Sequence, residues 1–174
     1  MSFNWLFCAR LWDDSGRLGP GELMSTNKIS RVRASLVVVH NGRLLTVQLQ
    51  DPATKEARLY VPGGLIEPGE TPAIAAVRET TEETGYLVTV VPGTDRVSHY
   101  DFVWNGATYA CSTHFMRGTL SDPHARPQPV TDAAYNHGVV WLPISQVPEA
   151  LGFHTVILEE VLAAMLRSAP SEKG

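Results

Sequence analysis

At 174 residues and 19.0 kDa the chain has room for one domain with a sizeable core, and 44% apolar residues are typical of a folded globular protein. A formal net charge of −4, with no Lys/Arg cluster beyond the pair Arg31 and Arg33, argues against a nucleic-acid binder, so a polyanionic substrate would have to be held by metal and a few local arginines. No apolar run approaches the length of a transmembrane helix, which argues against a membrane-spanning protein.

The first residues, MSFNWLFCARLW, are apolar but lack a basic n-region and an A-x-A-like cleavage site, so they do not read as a signal peptide. A Gly-, Pro- and Asp-rich linker follows from Asp13 to Glu22, and Met24 opens a second start just before the first strand. Residues 1–29 therefore read as an N-terminal extension and linker, either adding a strand or partner contact or arising from an upstream start. Cys8 and Cys111 could pair on number alone. One lies in this extension and the other in a predicted strand, so free thiols in a reducing cytoplasm are the simpler account.

Arg33 to His40 and Arg43 to Leu49 flank Asn41-Gly42, the preferred two-residue type I′ turn, and predict a hairpin. The continuous apolar run Leu36 to Val39 predicts a central strand covered on both faces. Asp51 to Glu56 reads as a surface loop, and Leu59 to Val61 as a short strand ended by Pro62. The chain then enters Gly63-Gly64, where backbone can approach a ligand with no Cβ in the way. No Gly-Lys-Ser/Thr follows, so this is not a P-loop.

Thr71 as N-cap, Pro72 at the first helical position and Gly85 as a left-handed stop predict a helix over Pro72 to Thr84. On it Glu79, Glu82 and Glu83 stand at i, i+3 and i+4 on one face, with Ala73, Ala76 and Val77 free to pack inward. Only Arg78 offsets the acids, and like charges at this spacing cost roughly 0.2 to 0.5 kcal/mol each in a bare helix. A hard divalent cation would remove that cost. Mg²⁺ fits best, because it takes a few carboxylates and leaves positions open for water and substrate phosphate. A solvated acidic face is the alternative reading of the three glutamates alone.

Leu87 to Val91 reads as a strand. Arg96 to Trp104 and Thr108 to Leu120 flank Asn105-Gly106, a second hairpin signal. Tyr100, Phe102, Trp104, Tyr109 and Phe115 read as sheet packing, with one or two turned toward a base. Ser121 to His137 is a proline-rich loop, Val139 to Trp141 a short strand, and Pro143 to Pro148 a corner. His154 to Arg167 carries Ile157, Leu158, Val161, Leu162, Met165 and Leu166 at helical spacing. Residues 169–174 read as a tail. Hairpins alternating with two separated helices imply an α/β fold in which a mixed sheet carries a helix on each side.

From Gly64, five residues lead to Glu70 and seven more to Arg78-Glu79; Glu82, Glu83, Gly85 and apolar Tyr86 follow. This resembles the Nudix box, G-x5-E-x7-R-E-U-x-E-E-x-G-U with U apolar, and all its fixed letters are present. The departure is Thr80 at an apolar position, where its methyl can still face inward. The resemblance implies an α/β/α sandwich over residues 30–168 and hydrolysis of a nucleoside diphosphate linked to a further group. It implies Glu79, Glu82 and Glu83 as ligands to Mg²⁺, with Mn²⁺ the alternative ion. Arg78 would hold the carboxylates in place with Glu70 as its partner, the Gly63-Gly64 backbone would lie beside the metal, and Glu79 could serve as base.

Some relatives take their base from a distant loop, where Asp122 and Asp132 are the acids available here; a solvated Asp is the favoured reading of each. His99, His114, His124 and His137 show no paired metal-ligand spacing. A related isomerase fold uses a site Cys, which gives Cys111 a role only in that rival. By elimination among sequence features of family members, the substrate expected is a nucleoside triphosphate or related nucleotide. ADP-ribose or a nucleotide sugar comes next. A non-catalytic nucleotide-sensing module and an RNA 5′-end hydrolase are weaker alternatives. A homodimer is left open, and the substrate-binding side chains are left unassigned.

Overall fold

The computed structural model describes residues 28–124, 126–130 and 134–167. The extension before Lys28, Cys8, Asp132 and the C-terminal tail lie outside them. Strand β1 (Ile29–His40) turns through Asn41-Gly42, both at positive φ (48° and 71°), into β2 (Arg43–Gln50), as a type I′ turn requires. These two strands pair only at Val39↔Leu44 and His40↔Arg43. Beyond that point β1 pairs antiparallel with β4 (Gly63–Leu65) and parallel with β7 (Ala107–Leu120), whereas β2 pairs with β3 (Ala57–Tyr60) and β8 (Asn136–Pro143). β5 (Val88–Val90) and β6 (Arg96–Trp104) both pair with β7. The mixed sheet therefore splays into two arms joined at the Asn41-Gly42 hairpin. The arms meet again at their far end, where the Asp51 Oδ2 carboxylate accepts the Asn105 backbone N–H at 2.8 Å.

Strand alternation sends side chains to two cores. Ala34, Leu36, Val38 and Met116 pack with Ala75 and Ala76 of α1 (Pro72–Thr84). Val37 and Phe115 pack on the opposite face with α2 (Val147–Leu151) and α3 (Thr155–Leu166). This is the expected α/β/α arrangement. The caps of α1 match their prediction: the Thr71 hydroxyl accepts from Ile74 N, and Gly85 is left-handed at φ 72°. Thr80 is fully buried and donates its hydroxyl to Ala76 O at 2.7 Å, so the polar atom at the box's apolar position is satisfied within the helix.

Gly63-Gly64, to which the sequence assigned no element, is strand, because both glycines pair with β1. Two expectations are corrected. The late strand runs Asn136–Pro143 rather than Val139 to Trp141, and the loop before it is shorter accordingly. The corner at Pro143 to Pro148 contains a 3₁₀ turn and then α2, giving three α-helices among the described residues instead of two. Pro148 is tolerated there because the first helical turn needs no N–H, and five residues are too few to show a periodicity. No helix among the described residues is long and apolar enough to cross a membrane.

Candidate active site

Gly64 pairs with Ala34, whose side chain faces α1, so a Cβ on Gly64 would point the same way. It would strike the Glu79 carboxyl. The missing side chain is the opening through which this helix-borne carboxylate reaches the β4 backbone. Glu79 is only 4% exposed, and burial raises its pKa above the ordinary value against the pull of the neighbouring Arg78. One turn on, Glu83 Oε2 accepts the Gly63 backbone N–H at 3.0 Å. Both carboxylates line one cleft.

Arg78 ties the acids together. Its Nε and Nη2 donate to the two Glu70 oxygens at 2.8 and 2.9 Å, Nη1 donates to Glu79 Oε1 at 2.9 Å and Glu82 Oε2 at 3.2 Å, and Nη2 also reaches Leu65 O at 3.0 Å. The side chain of Glu82 is half exposed and follows the guanidinium, not the cleft. Accordingly, no three His, Cys, Asp or Glu side chains among the described residues form a metal cage on their own. Two cleft-facing carboxylates, one of them desolvated and in need of positive charge, nevertheless fit Mg²⁺. That ion commonly takes one or two protein carboxylates and fills its remaining positions with water and substrate phosphates.

The bidentate contact from Arg78 lowers the Glu70 carboxyl from 4.5 to about 2. A depressed folded-state pKa contributes stability that is present above the unfolded value and lost as pH falls through the folded one. Wild type is thus expected to exceed Glu70→Gln in unfolding free energy by about 2 kcal/mol at pH 7. That difference should vanish as pH falls from about 4.5 to 2. Denaturant titrations of both proteins across this range check it; a difference constant with pH would contradict the assignment.

The cleft has a volume of about 360 Å³ and opens between the two arms of the sheet. Its carboxylate end is Glu79 and Glu83 beside Gly63-Gly64, and Arg31, Arg33 and Ser35 descend into it from alternate positions of β1. Its other half is aromatic. Tyr60 meets Phe102 and Trp104 edge-on, both at 6.1 Å between centroids, and Trp104 meets Tyr135 at 5.7 Å. Across residues 30–164 the chain matches the model of the NUDIX domain. The chain belongs to the NUDIX family.

As a Nudix hydrolase it acts on a diphosphate linkage, and the family uses a divalent metal. It is 31% identical over 120 residues to a Mycobacterium tuberculosis protein provisionally designated 8-oxo-dGTP diphosphatase 2, an alignment covering 66% of this chain and 82% of that one. It is also 31% identical over 108 residues to a Mus musculus ADP-sugar pyrophosphatase, covering 60% of this chain and 47% of the relative. In fold it is similar to a Nudix hydrolase of Nitrosomonas europaea, with a TM-score of 0.57, 23% identity, and coverage of 81% and 93% of the two chains.

Within this Nudix site Gly63, Gly64, Glu70, Arg78, Glu79, Glu82 and Glu83 meet as one group, Glu82 through Arg78 and Glu83 through the Gly63 N–H. The other candidates stand apart. Asp122 Oδ1 accepts the His124 N–H at 2.9 Å within its own exposed turn. His114 pairs with Asp95 at 2.9 Å. Of His99, His114, His124 and His137, none lines the cleft. Cys111 is buried, and burial pushes its thiol up, the opposite of an activated nucleophile.

All five aromatics expected as sheet packing line the cleft. Tyr60, Tyr135 and the two β1 arginines were left unassigned by sequence reasoning. Only the alternation Arg31-x-Arg33-x-Ser35 could have drawn attention to one face of β1. The loop after β7 and the start of β8 are fastened to the C-terminal end of α1: Gln128 N donates to Gly85 O at 2.9 Å, and Asn136 Nδ2 donates to Glu83 O at 3.2 Å.

Proposed function

We propose that the protein is an Mg²⁺-dependent pyrophosphohydrolase of a nucleoside triphosphate or closely related nucleotide, with Mn²⁺ as an alternative ion, releasing the nucleoside monophosphate and pyrophosphate. The observation that carries this reading is that one cleft joins two box carboxylates to an aromatic surface of nucleobase character. The base lies against the aromatic half and the diphosphate against Glu79, Glu83 and Gly63-Gly64. Mg²⁺ held by Glu79 and Glu83, with Glu82 completing the set directly or through water, would neutralise nonbridging oxygens and activate the attacking water. Arg78 keeps Glu79 and Glu82 oriented, and Arg33 adds positive charge along the phosphates. Glu79, whose carboxyl lies in the cleft beside Gly64, could also serve as the base that takes a proton from water.

The Mycobacterium tuberculosis relative supports the triphosphate assignment, and the mouse relative keeps a nucleotide sugar as the second reading. The test is pyrophosphate and phosphate release with Mg²⁺ over a panel of nucleoside triphosphates, ADP-ribose, nucleotide sugars and triphosphorylated RNA, for wild type and Glu83→Gln. Triphosphates should be turned over fastest, with a loss of about a hundredfold or more in the variant. Equal, near-zero turnover by both proteins would instead indicate a nucleotide-sensing module, and faster sugar-nucleotide cleavage the second reading.

A further inference from the structure

One hydroxyl at the carboxylate end of the cleft is buried yet unbonded. Of the buried Ser, Thr and Glu side chains among the described residues, Thr46, Glu79, Thr80, Thr84, Thr94 and Thr113 each have a hydrogen-bond partner. Ser35, only 5% exposed, has none among the described residues. Burying a hydroxyl without a partner works against folding, so the exception asks for a cause. No side-chain polar atom of the described residues is both unbonded and shut off from solvent. The Ser35 hydroxyl therefore opens on the cleft that this residue lines.

Strand β4 fixes its surroundings there. Gly63 lies opposite Ser35 and turns its N–H and C=O away from β1, the one donating to Glu83 Oε2 at 3.0 Å and the other accepting from Arg33 Nη2 at 2.8 Å. Such a pair shares no ladder bond and brings its side chains closest, with about 4.5 Å between Cα atoms. A Cβ on Gly63 would fall on Ser35 Oγ as well as on the β1 backbone. The bare glycine thus leaves the hydroxyl uncovered, and a cleft carboxylate, a guanidinium and this hydroxyl gather about one residue. An anionic oxygen drawn here by Mg²⁺ and Arg33 would meet in Ser35 a neutral donor whose bond is charge-assisted.

Resting on the placement of the diphosphate against Gly63-Gly64, we propose that Ser35 is a substrate-binding residue whose hydroxyl donates to a nonbridging oxygen of the diphosphate. What it recognises is the diphosphate, not the base or the sugar. A hydrogen bond to a charged oxygen changes affinity by about 10- to 100-fold.

Calorimetric titration of the full chain in Mg²⁺ tests this without requiring turnover. The probes are methylenediphosphonate, a diphosphate with neither base nor sugar, and the α,β-methylene analogue of ATP. Ser35→Ala should weaken both by one common factor of about tenfold or more, and Ser35→Cys, close in shape but a weak donor, should do the same. Free of ligand, Ser35→Ala should melt with wild type, because no bond within the protein is lost. The inference is overturned if neither probe binds wild type, or if Ser35→Ala binds methylenediphosphonate within about twofold of wild type. It is also overturned if only the nucleotide analogue is weakened, the mark of a contact to base or sugar, or if Ser35→Cys binds as wild type does, which would assign the effect to shape. Ligand-free Ser35→Ala melting well below wild type would overturn it too, since the hydroxyl would then serve the fold. Ser35-dependent diphosphate binding without hydrolysis of any nucleotide would uphold the inference and remove the proposed reaction; hydrolysis with binding indifferent to Ser35 would do the reverse.

Discussion

Glu79→Gln is expected to cut turnover about a thousandfold, equivalent to ~4 kcal/mol of transition-state stabilisation, while leaving the metal-free protein as stable as wild type or slightly more so. The two effects have one cause. Burial raises the pKa of this carboxyl, so its ionised form weighs against folding at neutral pH and that burden eases as pH falls. Glutamine is neutral and nearly the same shape, and its Oε1 can still accept from Arg78 Nη1 beneath the bare Gly64. It cannot supply the negative charge that the proposed Mg²⁺ site needs. Thermal melts with and without Mg²⁺ and a single-turnover assay separate the two: stabilisation by the ion should shrink along with activity. Activity within tenfold of wild type, or a large loss of stability in the metal-free variant, would remove Glu79 from the centre of the site.

Arg78→Ala should be damaging in a different way. The guanidinium is the positive partner of Glu79, and its loss leaves a buried carboxylate without a nearby cation on its own helix while stripping Glu70 of two charge-assisted hydrogen bonds. Breaking such a pair from one side costs about 3 kcal/mol or somewhat more. Mg²⁺ can replace part of the missing charge, so the ion should raise the melting temperature of Arg78→Ala by more than it raises that of wild type. Turnover at saturating Mg²⁺ should fall about 10- to 100-fold, the scale expected when the support of a metal ligand is removed. A variant that melts with wild type, or gains no extra protection from Mg²⁺, would show that Arg78 does not neutralise Glu79.

Both predictions join what sequence could reveal to what it could not. The caps of α1 and the two Asn-Gly hairpins were readable because each depends on residues within a few positions: a hydroxyl reaching Ile74 N, a missing Cβ at Gly85, two consecutive positive φ angles. Box spacing placed the carboxylates on the helix for the same reason. The burial of Glu79 was not readable, since it depends on Gly64 being laid over the helix by pairing with Ala34, thirty residues back in the chain. The aromatic half was equally hidden. Tyr60, Trp104 and Tyr135 come from segments widely separated in sequence and meet only because β2 and β7 carry them to opposite walls. Arg31 and Arg33 were visible only as a short basic pair with no place in the fold, and the parallel register of β1 with β7 set one of them on Tyr109.

The contact between Asp51 and Asn105 bears on how the mouth of the cleft is held. The arms of the sheet share ladder bonds near Asn41-Gly42 and are joined again where Val61-Pro62 carries β3 into β4, with Leu36 N donating to Pro62 O at 3.1 Å. At the far tips one carboxylate, that of Asp51, bridges the arms while also accepting the Ala53 and Thr54 N–H groups of its own turn. The mouth of the cleft is thus braced at its rim by a contact that involves no residue of α1, so removing the Asp51 carboxylate is expected to change ligand binding without disturbing Glu79 or Glu83.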